Sequence, residues 1–118
     1  MDRERLLDHF QNPRNVGELS PPALKVDVMN PACGDMMRLT VRFEGERVAE
    51  VRFLTRGCTA SIAASSALTE WMTGKSRLEL RMLHAAVIEE AVGGLEPASK
   101  HAAVLCVDAV KRVLVASA

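Results

Sequence analysis

Two cysteines, one histidine and one aspartate carry the chemistry open to this chain. Cys33 lies in Asn30-Pro31-Ala32-Cys33-Gly34-Asp35, a tight turn with a carboxylate two residues on. Cys58 lies in Arg56-Gly57-Cys58-Thr59-Ala60-Ser61, where a glycine launches a helix. Unpaired N–H groups at a helix start stabilise a thiolate, the form that binds metal. His101 opens the last helix. Two thiolates, an imidazole and a carboxylate make a tetrahedral metal site. Asp35 is either its fourth ligand or a gate.

The remaining chemistry-bearing residues read as structure. Cys106 shares a helical stripe with Ala102, Ala109 and Val113, which makes it a packing residue. The small residues after Cys58, with Ser61, Ser65 and Ser66 among them, let a helix approach a sheet closely. His9, amid charges, and His84, at the start of a connecting helix, are also read as structural.

The totals narrow the field. A chain of 118 residues reads as one domain, residues 1–118, large enough to build a core without a metal or disulfide. Fifteen basic and fifteen acidic residues cancel, which argues against nucleic acid or an anionic membrane as partner. Aromatics are 3%, too few for base stacking. The start is charged rather than apolar, and no apolar run approaches the roughly 18 residues of a membrane span. A cytoplasmic protein is expected. Three cysteines in a reducing compartment do not suggest a disulfide framework.

The elements that must position the site emerge from periodicity. Residues 2–11 form an amphipathic helix with Leu6, Leu7 and Phe10 on one side, ended by the Gln11–Gly17 segment with its Pro and Gly. Leu24 to Val28 is a short strand. Met37 to Glu44 alternates, with Met37, Leu39, Val41 and Phe43 facing inward and Arg38, Thr40 and Arg42 outward. A turn at Glu44-Gly45-Glu46-Arg47 leads into a return strand over 48–55, with Val51 and Phe53 inward. Helices are expected over 59–73, from Ser76 to about Leu83, over 84–92, and over 99–116. Strands first and helices after give an α+β fold: a three-stranded antiparallel sheet with helices packed on one face.

With these motifs in order, nearly the whole chain resembles the iron–sulfur cluster assembly scaffold family of the IscU/NifU N-terminal type. Asp8-His9-Phe10-Gln11-Asn12-Pro13-Arg14-Asn15-Val16-Gly17 looks like its N-terminal signature. Pro31-Ala32-Cys33-Gly34-Asp35 matches its first cysteine loop. Gly57-Cys58, Ser61 to Ser66 and Thr69-Glu70-Trp71 match its second cysteine segment, and Gly74-Lys75-Ser76 continues the likeness. The resemblance implies ligand or gating roles for Cys33, Asp35, Cys58 and His101, a transient [2Fe–2S] cluster, iron, a cysteine desulfurase as sulfur donor, and apo iron–sulfur proteins as recipients. The family's third ligand cysteine comes directly after this histidine or replaces it; here that position is Ala102. The Leu-Pro-Pro-Val-Lys segment read by an Hsp70-type chaperone is here Leu95-Glu96-Pro97-Ala98-Ser99, so that partner is not carried over.

Three functions are compatible with these donors. One is a non-enzymatic scaffold that builds and transfers a cluster. Another is a zinc- or iron-binding module that docks on a desulfurase without building clusters. The third is a zinc hydrolase, for which Asp35 has no second acid/base partner nearby. Zinc is also expected at the site in protein as isolated.

Overall fold

The computed structural model describes residues 2–32 and 34–118; Met1 and Cys33 lie outside the described residues. Among the described residues, one sheet is formed by β1 (Leu24–Met29), β2 (Met36–Glu44) and β3 (Arg47–Arg56) in the order β1-β2-β3, antiparallel throughout. The helices are α1 (Arg3–Gln11), α2 (Thr59–Met72), α3 (Arg77–Leu80), α4 (Ala85–Ala91) and α5 (His101–Ala116), with a 3₁₀ turn at Pro97–Ser99. α2 packs on β3 and α5 on β1 and β2, so both cover the same sheet face; α1 packs onto α2, and α4 onto both α2 and α5. This is the α+β arrangement expected from the sequence.

The strand alternation holds with two informative departures. Met37, Leu39 and Val41 are buried on the helix side, opposite Val28, Val26 and Leu24 of β1. Val48, Val51 and Phe53 of β3 are buried as well, although Val48 and Val51 are three residues apart. A bulge resolves this. The pairing slips from Arg42↔Glu50 to Phe43↔Val48, which leaves Ala49 as the extra residue and restores the inward face. The second departure is Thr40, an outward position that is nonetheless 1% exposed. The segment after α1 crosses the outer face: Gly17 N–H donates to Phe53 O at the edge of β3, and Leu19 N–H donates to Thr40 Oγ1.

α1 docks by its histidine rather than by its apolar trio. Leu7 and Phe10 are exposed, Leu6 is partly buried, and His9 is 7% exposed. His9 Nδ1 lies 2.8 Å from Ser66 Oγ, and the same oxygen accepts from Arg14 N–H at 2.9 Å. Asn15 Nδ2 reaches Thr69 Oγ1 from a left-handed backbone (φ 60), which asparagine tolerates. The His-Phe-Gln-Asn-Pro-Arg-Asn run thus ties α1 and the crossing segment to the polar residues of α2.

His9 makes stability depend on pH. Burial, then the Arg14 cation, lower its pKa below the ordinary 6.5, while Glu70 and Asp8 oppose them. Glu70 lies 3.6 Å from Nε2 but is half exposed, so water screens its attraction and burial wins. A histidine held neutral by folding contributes in full above pH 6.5, and that contribution is lost as pH falls below it, because the unfolded chain takes up the proton first. Urea unfolding of metal-free protein between pH 8 and 5 should show stability falling below about pH 6.5. His9→Asn should flatten that fall; an equal slope in both chains counts against the assignment.

Candidate metal centre

The sheet register builds the site. Met36 pairs with Arg56, the last residue of β3, so the next step places Asp35 beside Gly57. On the other side Met29 pairs with Met36, and the turn closes with Asn30 N–H donating to Asp35 O at 2.8 Å. Cys58 comes directly after as the N-cap of α2, and its sulfur makes no capping hydrogen bond. His101 is the first residue of α5, after the 3₁₀ turn. Both helices open at the same end of the sheet.

Three of the four expected donors meet there. Cys58 Sγ lies 3.5 Å from Asp35 Oδ2 and 3.7 Å from His101 Nε2, and His101 Nε2 lies 3.3 Å from Asp35 Oδ2. Tetrahedral bonds of about 2.3 Å to sulfur and about 2.1 Å to nitrogen and oxygen would separate donors by about 3.6 Å for S···N and S···O alike and by about 3.4 Å for N···O. The observed triangle has those edges, so a single metal ion fits it without rearrangement of these three side chains. Asp35 is buried, His101 is partly exposed and Cys58 is exposed, which leaves the sulfur side open to solvent. The fourth expected donor, Cys33, lies outside the described residues.

The other expectations divide. Cys106 is fully buried, burial pushes its thiol pKa well up, and it is not part of the metal-ligand group found among the described residues. Ala102, Ala109 and Val113 are buried with it, as the stripe implies. His84 is the N-cap of α4, without a side-chain capping bond.

Two residues of the site escaped sequence reasoning. Ser61, expected only to pack, donates to Asp35 Oδ2 and lies 3.3 Å from Cys58 Sγ. Its i, i+3 spacing from Cys58 was the available signal. Gly57, expected to launch a helix, also makes room for Asp35. A Cβ there would fall 2.6 Å from Asp35 Cγ and 2.7 Å from Oδ1. Gly57→Ala should therefore turn the Asp35 carboxylate away and weaken zinc binding by about tenfold or more. Overpacking should also cost the metal-free fold about 1–3 kcal/mol. Zinc affinity by chelator competition, with thermal unfolding of the metal-free chain, checks both; unchanged affinity would mean that Asp35 is not held by this contact.

Known proteins match this chain over nearly its whole length. The NifU-like N terminal domain model matches residues 1–116. The iron–sulfur cluster assembly scaffold protein IscU 1 of Archaeoglobus fulgidus is 38% identical over 115 residues, covering 98% of this chain and 75% of the relative. The scaffold protein IscU of Escherichia coli K12 is 39% identical over 115 residues, covering 94% and 89%. A crystal structure from Fervidobacterium islandicum AW-1, described as a candidate cluster assembly scaffold for the SUF system, superposes with a TM-score of 0.76 at 22% identity, covering 94% of each chain, and supports the fold. On these matches the chain belongs to the NifU-like N-terminal domain family.

Proposed function

We propose that the chain is an iron–sulfur cluster assembly scaffold: it holds iron and sulfide as a transient [2Fe–2S] cargo on Cys33, Asp35, Cys58 and His101 and passes it to apo-proteins. The observation that carries the reading is the triangle of Asp35, Cys58 and His101 on this fold. Sulfur would come from a cysteine desulfurase, whose access is favoured by the exposure of Cys58. Asp35 supplies an oxygen, a harder donor than thiolate, which suits a cargo that must leave. Binding and release need no general acid or base, so the chain is read as a non-enzyme.

The triangle is sized for one ion. Donors on the two irons of a cluster stand further apart than donors on one, so the site must open as the cargo grows. This supports zinc or a first iron as the occupant of the closed form. We infer a cytoplasmic setting from the odd count of three cysteines, which suits a reducing compartment. Among the described residues, no helix is long and apolar enough to cross a membrane.

Anaerobic reconstitution with iron and sulfide tests the proposal. Sulfide-to-iron absorption and a [2Fe–2S] Mössbauer spectrum are expected, followed by transfer to apo-ferredoxin. Asp35→Ala should bind a single ion more weakly yet hold an assembled cluster longer and release it more slowly, because the hard oxygen that favours release is gone. A colourless protein that keeps zinc and gains no sulfide would instead favour the metal-binding module.

A further inference from the structure

We propose that Ser61 is the positioning residue of this centre: it holds the Asp35 carboxylate against Cys58 and His101 and acts on the metal through Asp35. This rests on the reading of Asp35 as a ligand. Ser65 and Thr69 of α2 supply the contrast, whereas Ser66 meets His9 and Arg14. Ser65 donates to Ser61 O at 2.7 Å and Thr69 donates to Ser66 O at 2.8 Å, both within the helix. That is the usual fate of a buried helical hydroxyl. Ser61 is equally buried, at 0% exposure, yet its hydroxyl leaves the helix and donates to Oδ2 of Asp35, which precedes β2.

The oxygen it grips decides the role. Oδ2 is the same atom that lies 3.5 Å from Cys58 Sγ and 3.3 Å from His101 Nε2. A carboxylate oxygen has lone pairs enough for a hydroxyl and a metal together. The other oxygen, Oδ1, lies against Gly57, where a Cβ would fall 2.7 Å from it. Ser61 thus grips one carboxylate oxygen, and the missing Cβ of Gly57 leaves room for the other. The donor is itself anchored: Ser65, which bonds to the Ser61 carbonyl, also lies 2.6 Å from Thr55 Oγ1 on β3. Partners that orient a ligand in this way typically change metal affinity by about 10–100-fold.

A double-mutant cycle with cobalt(II) alone tests the proposal. Wild type, Ser61→Ala, Asp35→Ala and the double variant are titrated anaerobically, read by the sulfur-to-cobalt and d–d absorption, with circular dichroism of each metal-free chain. Ser61→Ala should weaken cobalt binding about 10–100-fold beside Asp35 and by less than about twofold when Asp35 is already alanine. It should also shift the d–d bands toward those of Asp35→Ala. Equal losses in both backgrounds, no loss beside Asp35, or a Ser61→Ala chain unfolded without metal would each overturn it. Cobalt needs no sulfide, so a chain that shows the coupling but assembles no cluster refutes the scaffold reading and leaves this one standing.

Discussion

Cys58→Ser should give a folded chain that retains neither iron nor sulfide after reconstitution. The sulfur of Cys58 forms two edges of the donor triangle, to Asp35 and to His101, and no other cysteine is found in that group among the described residues. A hydroxyl is a poor substitute for a soft thiolate toward iron–sulfur cargo. The loss should exceed the roughly 10–100-fold typical of outer partners, because the bond itself goes. The fold should survive, since Cys58 is exposed and makes no capping bond, while serine is a favoured N-cap for α2. Cys106→Ala is the matching control. It should cost about 1 kcal/mol through a small cavity and leave iron and sulfide content unchanged. Iron and sulfide per chain, measured on both variants, decide the matter. If Cys106→Ala empties the site and Cys58→Ser does not, the donors have been assigned to the wrong helix.

The contrast between these two cysteines shows what the sequence could reveal. Cys106 recurs with Ala102, Ala109 and Val113 at helical spacing, so its burial was legible from periodicity alone. Cys58 was legible from its place before a run of small residues that can only be a closely packed helix. The strands and their order were legible from clean alternation at Met37 to Phe43 and the glycine turn at 44–47. The bulge at Ala49 was not legible, because it depends on how two strands register and not on either strand's own pattern. Thr40 was misread for a related reason. Alternation gives the side of the sheet, but only the path of residues 15–19 decides whether that side meets water. Gly57 and Ser61 were missed because their roles exist only relative to Asp35, more than twenty residues away. His9 was assigned to structure, but its burial was hidden by charged neighbours in sequence that point elsewhere in space.

Leu68→Ala should cost about 2–5 kcal/mol, the usual range for emptying a fully enclosed leucine site. Leu68 is 0% exposed in the middle of α2, the helix that packs against α1, β3, α4 and α5. A domain of this size has about 5–15 kcal/mol in total, so the variant gives up a large fraction. Its thermal midpoint should fall by roughly 10–20 °C. The same helix is capped by Cys58 and carries Ser61 in its first turn, both away from the cavity. Zinc should therefore still bind, and it should return about 2.7 kcal/mol at a hundredfold excess over the dissociation constant, in the variant as in the parent. Unfolding curves of both chains with zinc and with chelator separate the two effects. A metal-free loss below about 1 kcal/mol would remove Leu68 from the core. An intact loss with no recovery on zinc would mean that the cavity is felt at the helix start, and that Asp35, Cys58 and His101 depend on α2 packing along its whole length.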